Sequence, residues 1–281
     1  MVIITEIPAL RQYISNAKST NKSIGFVATM GALHDGHLSL IKSSVAKNDL
    51  TVCSIFVNPT QFNNKSDLEN YPRQTENDIS LLAKSNCDMV FMPSTESIYR
   101  DNFLLSFNFG YLEETMEGKF RPGHFGGVGL IVTKLFNLVT PDRAYFGRKD
   151  LQQLTLIKIL AEELFFDIEI VAVDTIREKN GLAMSSRNSL LSDNEKQDAS
   201  QLHQALLKAR KKLIDGDSVI AVKHYIKSYF DNNSAIDLEY FEIVDSLSLR
   251  NIDKVEVTEL VSLCIAGYLG KVRLIDNLSL I

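Results

Sequence analysis

Cysteine is scarce in this chain, which has 3 cysteines among 281 residues. Cys53, Cys87 and Cys264 are scattered and lie mostly in apolar runs. They lack both the regular spacing of a disulfide framework and the paired spacing of a zinc site. We therefore expect buried thiols in a reducing, cytoplasmic compartment.

Long apolar runs and dense basic tracts are also missing. No apolar run approaches the roughly 20 residues that span a bilayer, and the N-terminus does not have the pattern of a signal peptide. The basic tract at Arg210–Lys212 is typical of a solvated helix face, and the formal net charge is −5. Because nucleic-acid binding needs a concentrated basic surface, we expect neither a nucleic-acid nor a membrane partner.

The first part of the chain alternates short apolar runs with amphipathic runs. This alternation predicts an α/β fold with a doubly wound parallel sheet. The predicted strands are residues 24–28, 50–57, 89–92, 144–146 and 168–173, with a further strand at 103–109. The predicted helices are residues 38–47, 75–85, 128–139 and 150–165, with one more helix before residue 22. The glycine-rich stretch 118–129 is predicted to be a loop.

The rest of the chain has a different pattern, and none of the 6 prolines lies beyond Pro141. A long helix is predicted from Ser192, which has Glu195 at capping-box spacing, to Ile214. A helix near 218–230 follows, and then three strand-like runs. Those runs are residues 238–244, 260–266 and 272–275. We expect residues 1–175 to form the α/β domain and residues 176–281 a smaller C-terminal α+β domain.

The stretch from Val27 to His37 joins a predicted buried strand to a predicted helix. Such a strand-to-helix turn is where open parallel sheets bind ligands. The start of a helix offers unpaired N–H groups and a positive dipole end to an anion. His34 and His37 are three residues apart, so two imidazoles could donate to a phosphoryl group. The alternatives at this point are ordinary histidines and a zinc site, which lacks nearby Cys or carboxylate ligands.

Further stretches match one family together with this turn. They are Phe56–Phe62 (FVNPTQF), Arg121–Phe125 (RPGHF), Phe146–Gln153 (FGRKDLQQ), Met184–Asn188 (MSSRN) and Arg273–Asn277 (RLIDN). With these motifs in order, the chain resembles the pantothenate synthetase (pantoate–β-alanine ligase) family, within the wider His-x-Gly-His nucleotidyltransferase-like group. A lone His-x-Gly-His would indicate only the wider group.

The resemblance implies a ligase that joins pantoate to β-alanine. It implies ATP as a substrate, Mg²⁺ as a cofactor, a pantoyl-adenylate intermediate, and release of AMP and pyrophosphate. It also implies a Rossmann-like domain that binds ATP and pantoate, a C-terminal lid domain, a homodimer and a cytoplasmic location.

Site residues follow from the same resemblance. The catalytic residues are expected to be His34, His37 and Lys149. The ATP-binding residues are expected to be Met30, Gly31, Ala32, Leu33, His34, Asp35, Gly36, His37, Gly147, Arg148, Lys149, Asp150, Ile176, Met184, Ser185, Ser186 and Arg187. The residues expected to bind pantoate or β-alanine are Thr29, Met30, Asn58, Gln61 and Gln153. Asp78 is expected to bind Mg²⁺, and Arg121 and His124 to have supporting roles.

Three positions depart from the family pattern. Ala28 and Asp174 stand where the family often has proline, and Arg148 stands where an acidic or polar residue is usual. Arg148 is expected to add positive charge beside Lys149. Two other functions share some of these motifs: a nucleotidyltransferase that retains the nucleotide in its product, and a non-catalytic nucleotide-binding module. A tRNA synthetase is disfavoured by the acidic charge balance.

Overall fold

The computed structural model describes residues 1–99, 103–233, 235–256 and 260–281. These residues divide into two compact units. The first unit comprises Met1–Arg148 and Leu156–Asp174, and the second comprises Lys149–Thr155 and Thr175–Ile281. Within the described ranges, no helix combines the length and the apolar character that crossing a bilayer would need.

The first unit contains a six-stranded sheet in which every pair of neighbours is parallel. The strands are β1 (Val2–Ile4), β2 (Ile24–Thr29), β3 (Leu50–Ile55), β4 (Met89–Phe91), β5 (Arg143–Gly147) and β6 (Glu169–Val173). Their order across the sheet is β1-β4-β3-β2-β5-β6. The predicted parallel sheet is therefore confirmed. The chain reverses its direction of winding between β2 and β5, which makes that point the topological switch of the sheet.

Helices connect these strands. They are α1 (Ile7–Ser19), α2 (Asp35–Val45), α3 (Lys65–Glu69), α4 (Thr75–Lys84), α5 (Thr95–Ile98), α6 (Met116–Phe120), α7 (His124–Val139) and α8 (Leu151–Glu163). On one side of the sheet, a buried cluster joins Val27 and Cys53 from the strands to Ile41 of α2 and Leu82 of α4. All three cysteines are free and buried, as the sequence predicts. Burial raises the pKa of the Cys87 thiol to about 12.

Two predictions for this unit are wrong. Residues 103–109 form no strand, and Leu104 and Leu105 in this segment are largely exposed. The glycine-rich stretch 118–129 is mostly helical, not a loop: it comprises the end of α6, a turn at residues 121–123, and the first turns of α7. Its glycines allow tight packing inside helices, because a Cβ at Gly127 would lie 2.3 Å from the carbonyl oxygen of Thr60.

The second unit is built on an antiparallel three-stranded sheet in the order β7-β8-β9. Its elements are α9 (Asp193–Ala199), α10 (Gln201–Ile214), α11 (Val219–Asn233), β7 (Ile236–Asp245), β8 (Val261–Leu269) and β9 (Val272–Ser279). Helix α10 packs on β8 and β9, and α11 packs on β7, around one apolar core. This arrangement confirms the predicted α+β character of the C-terminal part of the chain.

The long helix predicted from Ser192 to Ile214 is interrupted at Ser200. The capping box of Ser192 and Glu195 is present at its start. At the interruption, the Ser200 hydroxyl donates to the carbonyl of Gln197 over 2.6 Å. A serine that hydrogen-bonds the preceding turn competes with the helical ladder, so α9 ends there and α10 begins.

Candidate active site

The turn that follows β2 lies at the switch point of the first sheet. Thr29 closes the strand by donating its hydroxyl to the carbonyl of Ser54 over 2.7 Å. Gly31 and Ala32 then take positive φ values of 83° and 50°. These dihedrals, which alanine adopts only under external constraint, turn the chain sharply into α2.

Asp78 supplies that constraint. Its Oδ2 accepts from the backbone N–H of Ala32 at 2.9 Å, and its Oδ1 accepts from that of Leu33 at 2.7 Å. Asp78 lies in the first turn of α4 and is 1% exposed. The structure thus gives this carboxylate a role in fixing the turn. Its predicted role in binding Mg²⁺ stays a prediction.

His34 and His37 lie together where the turn becomes α2. Their ring centroids are 4.0 Å apart, and His34 is the N-cap residue of the helix. The Nδ1 atom of His34 accepts from the backbone N–H of Gly36 at 3.1 Å. In the neutral ring the proton is therefore on Nε2, which can donate to a ligand. Together with the helix start, this places several donors where an anion can be held.

Asn58 and Gln61 lie beyond the end of β3 and contact the same turn. The Nδ2 atom of Asn58 donates to Oε1 of Gln61 over 3.1 Å. Gln61 in turn places Nε2 at 3.1 Å from the Sδ atom of Met30. The short 3-10 helix Pro59–Gln61 has Gln61 as its buried residue. The structure therefore brings together five predicted site residues, namely Thr29, Met30, Asn58, Gln61 and Asp78, around the start of the histidine turn.

His124, at the first position of α7, is also part of this cluster. It is buried, and its Nδ1 atom lies 2.9 Å from the backbone carbonyl of Gln61. Because a carbonyl only accepts, Nδ1 carries the proton. Arg121 pairs instead with Glu117 at 3.6 Å. The supporting roles expected for Arg121 and His124 both stay predictions.

Two of the three residues that depart from the family pattern, Arg148 and Asp174, form an ion pair with each other. Nε of Arg148 lies 3.0 Å from Oδ1 of Asp174, just beyond the ends of β5 and β6. Both side chains are well exposed. The sequence predicts only the added positive charge at Arg148; the structure places a carboxylate against it. Gly147 ends β5 directly before this pair.

In the second unit, Lys149 makes one contact through its backbone carbonyl and one through its side-chain ammonium. Its Nζ lies 3.6 Å from Oδ1 of Asp150. Its carbonyl accepts from Nδ2 of Asn277, on β9, over 2.7 Å. Gln153 is half-buried in the first turn of α8, whereas its neighbour Gln152 is 4% exposed.

The remaining predicted site residues of this unit form a folded loop. The N–H of Met184 donates to the carbonyl of Ile176 at 2.9 Å, so the two ends of the loop are joined. Ser185 caps a short 3-10 helix (Ser186–Leu190) by accepting from the N–H of Arg187. Asn188 braces the loop from inside, because its Nδ2 donates to Glu178 and to the carbonyl of Ala183. The structure thus places Ile176 beside the segment Met184–Arg187.

Among the residues that the structure describes, no group of three or more His, Cys, Asp or Glu side chains is positioned to hold a metal ion. Asp78 does not fit a metal ligand well either, since both of its oxygens hold the turn and the side chain is buried. A divalent cation brought by a nucleotide would draw most of its ligands from phosphates and water.

Two residues that contact the predicted site were missed by sequence reasoning. Tyr99 donates its hydroxyl to Oδ1 of Asn58 over 2.7 Å, and Asn277 holds Lys149 as described. Asn277 belongs to a motif that carries the family resemblance, which could have indicated it. Tyr99 follows the short helix α5 and has no local pattern that points to a site.

Comparison with known proteins gives a consistent result over the whole chain. A family model described as pantoate-beta-alanine ligase matches residues 2–279. A pantothenate synthetase of Cytophaga hutchinsonii is 45% identical over 282 residues, covering 100% of both chains. A pantothenate synthetase of Porphyromonas gingivalis is 45% identical over 278 residues, covering 99% of each.

Solved structures agree with this result. A crystal structure of pantothenate synthetase from Thermus thermophilus superposes with a TM-score of 0.92 at 37% identity, covering 100% of this chain and 99% of that one. A pantoate-beta-alanine ligase from Francisella tularensis, complexed with beta-gamma ATP and beta-alanine, has a TM-score of 0.81 at 36% identity, covering 100% and 98%.

Proposed function

The chain belongs to the pantoate–β-alanine ligase family, and from this premise we propose that it joins pantoate to β-alanine, using ATP and releasing AMP and pyrophosphate. The observation that carries the proposal is the pair His34 and His37, with ring centroids 4.0 Å apart at the start of α2. It lies at the switch point of the sheet, beside the amide of Gln61. A phosphate-binding turn next to a polar pocket suits an enzyme that joins an acid to a nucleotide.

The first step activates the acid. A carboxylate oxygen of pantoate attacks the α-phosphorus of ATP, an O–P bond forms, and the bond to pyrophosphate breaks. Negative charge gathers on the phosphate oxygens during this step. The Nε2–H of His34, the ring of His37 and the N–H groups at the start of α2 stabilise that charge. Lys149 contributes an ammonium, a compact donor suited to phosphate.

Other groups are assigned to ATP by the family motifs. In the first unit they are the turn from Met30 to His37, Gly147 and Arg148. In the second unit they are Asp150, Ile176 and the segment Met184–Arg187, whose serine hydroxyls and guanidinium suit phosphate oxygens.

The acid is assigned to Gln61, Gln153, Asn58, Thr29 and Met30. Amide groups both donate and accept, which suits a ligand that carries a hydroxyl and a carboxylate. Gln61 and Asn58 are buried, at 8% and 1% exposed, so their hydrogen bonds are shielded from water.

The second step forms the amide. The amine of β-alanine attacks the acyl carbon of the pantoyl adenylate, the C–N bond forms, AMP leaves with the electron pair of the C–O bond, and the amine loses a proton. Two steps replace one difficult displacement, because oxide is a very poor leaving group and AMP is a good one.

Mg²⁺ belongs to this proposal as an ion that enters with ATP, where it would neutralise phosphate charge. No step above depends on a ligand from the protein, in keeping with the engaged carboxylate of Asp78. The homodimer and the cytoplasmic location are proposed from the family resemblance.

One isotopic experiment tests the proposal. Pantoate labelled with ¹⁸O in its carboxylate is incubated with the protein, ATP, Mg²⁺ and β-alanine, and each component is omitted in turn. We expect one labelled oxygen in AMP, with turnover dependent on all the substrates. Label in orthophosphate beside ADP would instead indicate an acyl phosphate and would refute the adenylate route. A product that retains the nucleotide would identify a nucleotidyltransferase.

A further inference from the structure

We propose that Tyr99, acting through Asn58, orients the side-chain amide of Gln61 so that Gln61 presents its NH₂ group, a hydrogen-bond donor, to an oxygen of the acid substrate. Tyr99 is then a positioning residue that determines the polarity of this subsite. The inference rests on the proposed function, because it names what Gln61 recognises within that site.

One end of the Asn58 amide faces a backbone group that can only accept. Nδ2 of Asn58 lies 3.1 Å from the carbonyl oxygen of Gly127. Since that carbonyl has no proton to give, the Asn58 atom facing it must be the nitrogen. The opposite side of the same amide agrees with this assignment, because Oδ1 accepts from Tyr99 at 2.7 Å and from Thr60 at 3.0 Å.

The orientation of Gln61 follows from that of Asn58. The second hydrogen of Asn58 Nδ2 points to the Gln61 amide at 3.1 Å, so the Gln61 atom there is the acceptor Oε1. Nε2 therefore faces the other way, toward Met30 Sδ at 3.1 Å. A thioether sulfur is a weak acceptor, so a hydroxyl or carboxylate oxygen of a ligand is a better partner for this NH₂ group.

The backbone around Gln61 leaves little freedom besides the side-chain torsions. His124 donates from Nδ1 to the carbonyl of Gln61 at 2.9 Å. Gly127 lies against the backbone of Thr60, where a Cβ would approach within 2.3 Å. With the main chain held on both sides, the hydrogen bond from Asn58 decides which end of the amide faces the ligand.

Tyr99 is suited to this role because its hydroxyl stays neutral. The residue is 7% exposed and its ring lies 6.3 Å from that of Phe56. Burial raises the pKa of the Tyr99 hydroxyl. It therefore remains an O–H donor at neutral pH and above, and it keeps Oδ1 of Asn58 turned away from Gln61.

The test compares two buried tyrosines. Tyr99→Phe removes the hydroxyl and keeps the ring. Tyr145→Phe is the matched control, because the Tyr145 hydroxyl also has an amide partner, Asn48 at 2.8 Å, and burial also raises its pKa. We expect Tyr99→Phe to raise the KM for pantoate about three- to tenfold, the range for one lost hydrogen bond. We expect the KM for ATP to stay unchanged, and Tyr145→Phe to change neither KM.

Asn58→Asp provides a second readout that does not depend on Tyr99. A carboxylate in that position would face the carbonyl of Gly127 and Oε1 of Gln61, and the Gln61 amide would have to turn its NH₂ inward. We expect the KM for pantoate to rise by about 10²-fold or more, because the acceptor end of Gln61 would then face the substrate.

Three outcomes would overturn the positioning role: an unchanged KM for pantoate in Tyr99→Phe, a parallel rise for both substrates, or a normal KM for pantoate in Asn58→Asp. Absence of pantoate-dependent AMP release by the unsubstituted protein would instead refute the proposed function. The two failures are therefore distinguishable.

Discussion

The side-chain amide of Asn277 donates a hydrogen bond of 2.7 Å to the backbone carbonyl of Lys149. Asn277 is itself fixed, because its N–H donates to Oδ1 of Asp276 at 2.8 Å. Asp276 is buried and paired with Arg177 through both oxygens. A strand near the end of the chain thus fixes the backbone of the proposed catalytic lysine.

We predict that Asn277→Ala lowers kcat about tenfold while the protein stays folded, because the lysine backbone loses its anchor and the ammonium its fixed position. The matched control is Asn232→Ala, which removes an exposed amide that donates to a carbonyl within α11. Steady-state kinetics and thermal unfolding of both variants check this. An equal loss of activity in both variants would contradict the anchoring role.

Asp78 offers a second prediction, on the turn that carries the histidines. Asp78→Asn places an NH₂ group against the N–H of Ala32 or Leu33, so one buried donor is left unsatisfied. We expect the free energy of unfolding to fall by about 1–3 kcal/mol and the affinity for ATP to fall, both measurable by calorimetry.

A magnesium titration separates the two roles of Asp78. If it anchors the turn, the loss of ATP affinity persists at saturating Mg²⁺. If it ligates the ion, excess Mg²⁺ restores the affinity. Asp215→Asn, at an exposed carboxylate beyond α10, controls for the change of charge.

The histidine pair gives the third prediction. His34→Ala and His37→Ala should each fold normally and lose about 10²-fold or more in kcat, the effect of removing a preorganised donor to developing charge. His224→Ala, at an exposed histidine of α11, should retain full activity. Near-normal turnover in either active-site variant would remove that histidine from the mechanism.

The exposed ion pair of Arg148 and Asp174 gives the fourth prediction. We predict that Asp174→Ala changes the free energy of unfolding by less than about 1 kcal/mol, as for other exposed ion pairs. The KM for ATP should fall at low ionic strength, because Arg148 loses the negative charge of Asp174 beside it, and the effect should fade as salt screens it.

Glu169→Ala is the control for that experiment. It removes the partner of Arg143 from an ion pair of 2.8 Å that lies at the other end of β5. A change in the KM for ATP of equal size in both variants would indicate a general effect of net charge and would count against a specific role for Arg148.

The parallel sheet and the position of the histidine turn were predictable from the sequence, because both depend on local patterns. The run Ile24–Ala28 is apolar and contains the β-branched residues Ile24 and Val27, and residues 38–47 have helical spacing, so strand, turn and helix follow in order. The break at Ser200 was not predictable from periodicity, which continues through it. It depends on one hydroxyl that hydrogen-bonds the preceding turn.

The contacts within the site depend on tertiary structure. Asp78 reaches Ala32 across 46 positions of sequence, and Tyr99 reaches Asn58 across 41. Neither contact produces a periodic pattern in the sequence from which it could be predicted. A glycine-rich stretch is typical of a loop, which is why the sequence suggested one here. In the structure, Gly118 of α6 and Gly127 of α7 lie so close to the main chain of other segments that a Cβ would not fit. This close approach is visible only in the folded chain.

Arg148 and Asp174, taken singly, are two unrelated departures from the family pattern, yet their side chains meet at 3.0 Å. Their energetic effects should therefore be coupled rather than additive. A chimera joined to a relative anywhere between these positions would place Arg148 and Asp174 in different products and break the pair in both. Exchange of both residues together would transfer the pair intact, so residues 148–174 are best treated as a single block in recombination.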